Sequence, residues 1–130
     1  MYKRQVRDLE LARASVVVLN FTLQFLPPDE RPGLLRRIHD ACLPGAALVL
    51  AEKIRFEDRE QQAFAERMHV AFKQANGYSE LEISQKRSAL EKVLIPDSLE
   101  VHHQRLREAG FGAVHTWFQC FNFAAVVAIK

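Results

Sequence analysis

The apolar positions along the chain change their period several times, and each change predicts a different element. Residues 14–20 form a continuous β-branched run, which is typical of a strand buried on both faces of a parallel sheet. Pro27 and Pro28 then open a predicted helix that ends before Pro44, and residues 46–51 form a second apolar run. The apolar positions of this helix are Leu34, Leu35, Ile38 and Cys42. A strand, a helix and a strand in this order predict one right-handed βαβ unit with parallel strands.

Two further helices are predicted in the middle of the chain. The first runs from about Asp58 to Ala75. The second begins at about Leu81, because Ser79 and Glu82 have the Ser-x-x-Glu spacing of a capping box. The first helix carries an apolar stripe formed by Phe64, Met68, Ala71, Phe72 and Ala75. Two helices are more than one crossover needs, so we interpret residues of about 56–95 as a helical insertion, a cap or an oligomer contact.

The rest of the chain predicts one more helix and a pair of strands. Asp97 and Glu100 are spaced to cap this helix, which ends at Gly110. Its inward side chains are expected to be Leu99, His102, Leu106 and Ala109. Residues 113–118 and 121–129 form strands, and so few residues lie between them that they are expected to pair antiparallel.

An arginine interrupts the apolar face of the helix that follows Ser79. Ile83, Arg87, Leu90 and Leu94 follow one another at steps of four, three and four residues, which places them on one helix face. A guanidinium in an apolar seam is costly unless a carboxylate or a phosphate pairs with it. Arg87 therefore either binds the carboxylate of a ligand, or extends to solvent or pairs with a structural glutamate.

Composition sets the class of protein without naming a partner. The chain has 130 residues, of which 48% are apolar and 26% charged, as in an ordinary globular domain. Its net charge of +2 and the absence of a long basic run neither demand nor exclude an RNA partner. The apolar stretches are too short to span a membrane, and Cys42 and Cys120 lack metal-ligand spacing. We expect a cytoplasmic protein without a metal and without a membrane partner.

The predicted strands and helices correspond to half of a larger sheet. A mostly parallel sheet that ends in an antiparallel pair resembles the later half of a class I methyltransferase-like Rossmann fold, an α/β fold. The earlier half of such a fold binds its nucleotide through a Gly-rich turn and an acidic residue. None of the five glycines forms Gly-x-Gly ahead of a helix, and only thirteen residues precede the first strand. We therefore expect residues 1–130 to be a partial domain, truncated at its N-terminus.

Four segments of the chain carry a specific resemblance. They are residues 18–26 (VLNFTLQFL), 51–53 (AEK), 72–88 (FKQANGYSELEISQKRS) and 117–123 (WFQCFNF). These segments resemble the carboxy-S-adenosyl-L-methionine synthase family, and the likeness runs from about Val6 to Lys130. Residues 1–5 depart from the family pattern, which has an acidic residue where Gln5 stands, and we interpret them as non-native.

The resemblance implies an activity, a cofactor and partners. Members of the family transfer a carboxylate derived from prephenate to the methyl carbon of S-adenosyl-L-methionine and release phenylpyruvate. Their product, carboxy-S-adenosyl-L-methionine, serves the modification of the wobble uridine of tRNA. The resemblance also implies a homodimer formed through the helical insertion, and no direct contact with tRNA. Taken alone, this partial chain is expected to be inactive.

The resemblance assigns cofactor-binding roles to Asn20, Arg87 and Val6, and it assigns no catalytic residue. Arg87 matches an arginine that binds the new carboxylate, for which a bidentate guanidinium is suited. Asn20 matches a cofactor contact and follows a parallel strand, where open α/β sheets present ligand-binding groups. Its alternative role is to turn the chain by bonding its own backbone. Val6 matches a position whose backbone approaches the adenine.

Other residues and other functions remain as alternatives. Glu52 and Lys53 either border the site or form a surface ion pair. The aromatic residues of 117–123 are expected in the core rather than as a platform that stacks against bases. His69 lacks a partner at metal-ligand or triad spacing and is assigned no chemistry. Two alternative functions are a non-catalytic dimerisation or binding module made by the helical insertion, and a methyltransferase acting directly on RNA. The second would leave Arg87 without a purpose.

Overall fold

One mixed sheet is formed by four strands, β1 (Ala14–Asn20), β2 (Cys42–Lys53), β3 (Ala113–Cys120) and β4 (Phe123–Ile129). The computed structural model describes Val6 and residues 9–130 of the chain. The strands lie in the order β1-β2-β4-β3. β1 pairs with β2 in parallel, and β4 pairs antiparallel with both β2 and β3. This is the predicted arrangement, with the last strand between β2 and β3.

Four helices connect or follow these strands. They are α1 (Arg31–Ala41), α2 (Arg59–Ala75), α3 (Glu80–Glu91) and α4 (Leu99–Glu108). Short 3-10 helices at Leu23–Phe25 and Pro28–Glu30 lie between β1 and α1. The predicted capping box is confirmed, since the Ser79 hydroxyl accepts from the Glu82 backbone N–H and the Glu82 carboxylate accepts from the Ser79 backbone N–H.

The hydrophobic core lies between one face of the sheet and helices α1 and α4. Along β2 the side chains alternate between buried and half-buried, as a strand with one packed face requires. The side chains that fill this core from the helices include Leu35 and Ile38 of α1 and Leu106 of α4. Those from the sheet include Leu19, Leu48, Leu50, Val114, Val126 and Ala128. The inward face predicted for α4 is confirmed, with His102 and Leu106 buried.

Three predicted boundaries were wrong by a few residues. The helix α1 ends at Ala41, and Cys42 starts β2 in an extended conformation because Pro44 disfavours helix just ahead of it. The cap of α4 is Ser98, whose hydroxyl accepts from the Val101 N–H, because the carboxylate of Asp97 pairs with arginines instead. The turn between β3 and β4 is 121–122 rather than 119–120, with Phe121 at a positive φ of 52°.

The predicted apolar stripe of α2 is mostly exposed in the structure. Phe64 and Phe72 are exposed, whereas Ala65 is buried and His69 is half-buried. The helix packs through the face that contains Ala65, where a small side chain permits a close approach. The Phe72 ring lies 5.6 Å from the Phe121 ring in the turn between β3 and β4, yet both phenylalanines of α2 keep about half of their surface exposed to solvent.

The fully buried Arg31 connects four parts of the chain, one of them through Asp97. The Arg31 guanidinium donates to the backbone oxygens of Leu26, Gln24 and Ile95, at 3.0, 3.1 and 2.8 Å. It also donates to the Asp97 carboxylate at 2.6 Å. Asp97 accepts a second charged hydrogen bond from Arg105 at 2.7 Å. The loop after β1, the start of α1, the segment before α4 and α4 itself are thus tied to one side chain.

The pKa of Asp97 shows that this cluster favours ionised groups. Burial alone would raise the pKa of the Asp97 carboxyl, but the hydrogen bonds from Arg105 and Arg31 hold it below its ordinary value. A buried ion pair stabilises a fold only when further hydrogen bonds satisfy the remaining donors. Three backbone carbonyls do this for Arg31.

Arg31→Lys is expected to lower the free energy of unfolding by about 3–5 kcal/mol, because it breaks a buried, hydrogen-bonded pair. Lysine keeps the charge but cannot reach Asp97 and three carbonyls at once. Denaturant unfolding followed by far-UV circular dichroism measures the loss. The exposed Arg36→Lys on the same helix is the matched control, expected within about 0.5 kcal/mol of the parent. Equal stability of the two variants would contradict the role assigned to Arg31.

The outer face of β1 predicts association of the 130-residue chain. Val16 and Val18 are each 60% exposed, and no described strand pairs with the free edge of β1. Exposed strand edges with apolar side chains favour edge-to-edge contact. We expect concentration-dependent association in sedimentation velocity, reduced by the double substitution Val16→Lys and Val18→Lys. Val93→Lys, at an exposed position away from the sheet, is expected to leave association unchanged. A monodisperse monomer at all concentrations would contradict the prediction.

Candidate functional site

The carboxyl end of β1 places Asn20 beside β2. Asn20 pairs with Ala51 in the parallel register, and the next backbone N–H, that of Phe21, donates to the Ala51 oxygen at 2.8 Å. Phe21 has a positive φ of 51°, which is unfavourable for a bulky residue, and the chain turns away from the sheet there. Asn20 is exposed, and its side chain makes no hydrogen bond to a described residue. Its backbone oxygen, not its amide, takes part in the turn by accepting from the Thr22 hydroxyl at 3.1 Å.

A buried carboxylate fixes the loop after Asn20 against the end of β2. Glu52 accepts from the backbone N–H groups of Leu23 and Gln24 at 3.0 and 3.2 Å. The Gln24 amide oxygen in turn accepts from the Lys53 backbone N–H at 2.8 Å. Glu52 is buried and therefore does not form the surface ion pair that was one prediction for it. Burial raises the pKa of the Glu52 carboxyl to about 8, although the two backbone hydrogen bonds oppose this shift.

A cavity of about 290 Å³ lies next to this end of β2. Its walls come from Lys53, from one face each of α2 and α3, from the segment after α3 and from the turn between β3 and β4. We refer to it as the basic cavity. The lining residues are Lys53, Glu66, His69, Val70, Lys73, Ile83, Lys86, Arg87, Leu90, Glu91, Leu94, Pro96 and Asn122.

Arg87 lines the basic cavity together with the apolar residues that were predicted to share its helix face. Ile83 and Leu90 line the cavity from α3, as predicted, whereas Leu94 lines it from the segment beyond the end of the helix at Glu91. The Arg87 side chain is 61% exposed, which agrees with the alternative that it extends to solvent or pairs with a structural glutamate. Ile83 is the buried residue of α3. The other residues on its helix face therefore lie along the wall of the cavity. The guanidinium lies 3.6 Å from a Glu66 oxygen and 3.9 Å from a Glu91 oxygen.

The basic cavity disfavours additional positive charge. Burial and the neighbouring Lys73, Lys53 and Lys86 lower the pKa of His69 to about 4, so its imidazole is neutral at pH 7. Burial is also the first cause that lowers the pKa of Lys53 and of Lys73. The His69 ring packs edge-on against Phe123, with ring centroids 4.8 Å apart, which fixes the imidazole at the cavity wall.

The three residues to which the resemblance assigns cofactor binding do not share one cavity. Asn20 on β1 pairs with Ala51 on β2, which is two residues before Lys53. Asn20 is therefore at the same end of the sheet as the basic cavity, but it does not line that cavity. Val6 is half-buried and lines a different cavity of about 550 Å³ against α1, with Gly33 and Leu34 among its neighbours. The positions 1–5 that were interpreted as non-native lie outside the described residues.

Two further features concern metals and membranes. Within Val6 and residues 9–130, no three side chains of the His, Cys, Asp and Glu types come together as a metal site. None of the helices described in this range is both long and apolar enough to cross a bilayer.

Comparison with known proteins identifies the relatives of the chain. It is 61% identical over 125 residues to a carboxy-S-adenosyl-L-methionine synthase of Shewanella frigidimarina, which is 96% of this chain and 51% of that protein. A synthase of the same name from Stutzerimonas stutzeri is 61% identical over 121 residues, or 93% of this chain and 49% of that protein. The chain is homologous to carboxy-S-adenosyl-L-methionine synthases. The family resemblance is therefore confirmed, and the chain spans about half the length of the relatives it matches. No protein-family model matches the sequence.

Solved structures confirm the predicted fold. Human N-acetylserotonin methyltransferase in complex with SAM superposes with a TM-score of 0.65 at 19% identity, covering 96% of this chain and 32% of that protein. An O-methyltransferase family protein from Burkholderia thailandensis gives a TM-score of 0.65 at 18% identity, covering 96% and 32%. At these identities the likeness concerns the fold alone. The chain has part of a class I methyltransferase-like α/β fold.

Two functional features of the site were missed or undervalued by sequence reasoning. Lys53 lines the basic cavity, and Glu52 is buried. From the sequence it was undecided whether these two residues border the site or form an ion pair on the surface. Their position directly after an apolar strand was the available signal. His69 was assigned no chemistry because it lacks a partner in sequence, yet the fold places it among Lys53, Lys73 and Lys86. That cluster is built from β2, α2 and α3, and no local spacing reveals it.

The pKa of Glu52 predicts how stability depends on pH. The ordinary carboxyl value is 4.5 and the folded value is about 8, so the folded state holds this proton more tightly between them. The contribution of Glu52 to stability is therefore present at low pH and is lost as the pH rises towards 8. The pKa values of His69 and His102 are lowered to about 4 in the folded state. Their contribution to stability therefore has the opposite sign, and it is lost as the pH falls through the ordinary histidine value of 6.5.

Denaturant unfolding measured from about pH 7 to pH 8 should thus show falling stability, because both histidines are then largely neutral in the folded and in the unfolded state. Glu52→Gln is expected to flatten the decline and to lower stability at about pH 7, since an amide cannot accept from both backbone N–H groups. Glu57→Gln, at an exposed carboxylate, is the matched control and should keep the parent's slope. An unchanged slope in Glu52→Gln would contradict the raised pKa.

Proposed function

We propose that this chain carries the carboxylate-binding part of a carboxy-S-adenosyl-L-methionine synthase. In this proposal, S-adenosyl-L-methionine and prephenate are converted to carboxy-S-adenosyl-L-methionine, which serves the modification of the wobble uridine of tRNA. The observation that carries it is Arg87 on the wall of a cavity that also opens to the carboxyl end of β2. The 61% identity to synthases of that name over 125 residues supports the same activity.

The polar groups on this edge of the sheet fit the proposed ligand. Asn20 presents an exposed amide without a hydrogen bond to a described residue, at the strand end where open α/β sheets bind ligands. Arg87 presents a guanidinium whose present partners, Glu66 and Glu91, are at 3.6 and 3.9 Å. Such long, exposed ion pairs contribute under about 1 kcal/mol each, so exchanging them for a ligand carboxylate costs little.

Each residue has a distinct part in the proposed binding. The bound S-adenosyl-L-methionine supplies the methyl carbon that receives the carboxylate. Arg87 binds the new carboxylate through two parallel hydrogen bonds, which a planar guanidinium allows. Asn20 binds a part of the ligand that substrate and product share. Glu52 and Gln24 hold the loop after Asn20 against β2, so the amide is presented in a fixed place.

We also propose that the partner is a second copy of the chain, which binds through the helical insertion. The exposed aromatic rings of Phe64 and Phe72 on α2 and the exposed Leu81 on α3 support this. A direct contact with tRNA is not part of the proposal, because the net charge of +2 supplies no strong basic field. We also propose that the protein is cytoplasmic, because the product of the proposed activity is used to modify tRNA.

The test uses a chimera in which the matched 125 residues replace the segment they match in the Shewanella frigidimarina synthase. Arg87→Lys in this chimera should weaken binding of carboxy-S-adenosyl-L-methionine about 10- to 100-fold, as expected for a lost charge-assisted fork. Binding of S-adenosyl-L-methionine should change by less than about threefold, because it lacks the carboxylate. Asn20→Ala should weaken both ligands alike. Calorimetric titration measures all four affinities.

Two controls make this result decisive. Arg67→Lys alters an exposed arginine of α2 outside the basic cavity and should leave both affinities unchanged. The parent chimera, supplied with S-adenosyl-L-methionine and prephenate, should form carboxy-S-adenosyl-L-methionine, detected by mass spectrometry. Equal losses for both ligands in Arg87→Lys would mean that the arginine is structural, and a chimera without product would refute the proposed activity.

A further inference from the structure

Phe21 has a backbone conformation that bulky residues rarely adopt. Its φ is 51°, in the left-handed region where glycine and asparagine are the usual residues. The neighbouring backbone is fixed on both sides. The Phe21 N–H donates to the Ala51 oxygen at 2.8 Å, and the Glu52 carboxylate accepts from the Leu23 and Gln24 N–H groups. Strained residues persist where the surrounding structure fixes them, and they concentrate at functional sites.

The Phe21 ring lies at the surface, at the carboxyl end of β1. Phe21 is 41% exposed and is not part of the hydrophobic core. Within the described part of the chain its ring contacts one other ring, that of Phe123, at a centroid distance of 5.9 Å and an interplanar angle of 86°. A perpendicular contact leaves at least one face of the Phe21 ring without an aromatic neighbour. Packing in the core therefore does not account for a phenylalanine at this strained position.

Phe21 links the strand end at Asn20 to the wall of the basic cavity. It directly follows Asn20, and the Phe123 ring that it contacts lies 4.8 Å from the His69 ring. His69 lines the basic cavity together with Arg87. In the proposed function, Asn20 binds a part that substrate and product share, and Arg87 binds the new carboxylate. The sulfonium group joins these two parts of the ligand, so its place is between the two residues.

The charges of the basic cavity disfavour a sulfonium group, which is a cation. The cavity is lined by two carboxylates, Glu66 and Glu91, and by four cationic side chains, Lys53, Lys73, Lys86 and Arg87. Both carboxylates lie within ion-pair distance of Arg87, at 3.6 and 3.9 Å, so neither is free for a second cation. His69 is neutral at pH 7 and does not alter this balance. The face of an aromatic ring attracts a cation without adding a negative charge that the lysines would also bind.

We propose that the face of the Phe21 ring binds the sulfonium group of S-adenosyl-L-methionine and of the carboxylated product, and thereby discriminates both from S-adenosylhomocysteine, whose sulfur is a neutral thioether. This inference rests on the proposed function and deepens it, because it names the residue that recognises the charged sulfur. Asn20, Phe21 and Arg87 then bind three successive parts of one ligand. The fixed backbone and the Phe123 ring hold the Phe21 ring in place before the ligand binds, so little ordering is needed.

The test measures the affinities of the chimera for S-adenosyl-L-methionine and for S-adenosylhomocysteine by calorimetric titration. Phe21→Leu keeps a bulky apolar side chain and the strained backbone but removes the aromatic face. It should weaken binding of S-adenosyl-L-methionine at least about fivefold and that of S-adenosylhomocysteine less than about twofold. Phe21→Tyr keeps an aromatic face and should retain the parent's ratio of the two affinities. Phe118→Leu, at a phenylalanine of β3 that is 53% exposed, is the matched control and should change neither affinity.

The ratio of the two affinities separates recognition of the charge from a structural effect. Both ligands are titrated into the same preparation, so a smaller folded fraction in one variant does not change the ratio. Equal losses for both ligands in Phe21→Leu, or no loss for either, would overturn the inference, and so would the same selective loss in Phe21→Tyr. The proposed function would still stand if the parent chimera formed product. A chimera without product, in which Phe21→Leu selectively weakens S-adenosyl-L-methionine, would refute the proposed activity alone.

Discussion

The buried guanidinium of Arg31 is the interaction on which the arrangement of the site depends. It collects backbone oxygens from the loop after β1 and from the segment before α4, and it neutralises Asp97 between them. Neither segment belongs to the sheet, so their places are not set by strand pairing. Gln24, whose backbone oxygen binds Arg31, also holds Lys53 and Glu52 at the end of β2. The strand end that borders the basic cavity is thus connected to the core through one side chain.

Two arginines illustrate how far the sequence predicts such a site. The argument that a guanidinium in an apolar helix face needs a partner was applied to Arg87, and it describes Arg31 better. Arg31 precedes Leu35 by four residues and Ile38 by seven, on a helix face that is fully buried, and Asp97 pairs with it. Arg87 shares a helix face with Ile83 and Leu90, but that face lines a cavity. Periodicity predicts which residues share a face, whereas the depth of burial depends on what the fold packs against that face.

Predictions based on local chemistry were the more successful ones. The β-branched run predicted β1 with its observed bounds, because such side chains favour a pleated, packed surface. The capping box predicted the start of α3, since both hydrogen bonds lie within four residues. The apolar stripe predicted on α2 is mostly exposed, because the helix packs instead through the face of the small Ala65, which the aromatic pattern does not indicate. The cluster of Lys53, His69, Lys73 and Lys86 could not be predicted, since β2, α2 and α3 must first be placed around it.

The position of β4 constrains the order in which the molecule can assemble. This strand follows β3 along the chain but lies between β2 and β3 in space. The unit of β1, α1 and β2 can therefore form early, from contacts between neighbouring stretches of chain. β3 has no described partner except β4, and the two are joined by a short turn, so this hairpin is a local contact that can form before β4 pairs with β2. The contact between β2 and β4 joins residues far apart in the chain, and such non-local pairing is expected to be the slower step. Because Asn122 lies in the turn of that hairpin, the basic cavity gains its last wall only when this step is complete.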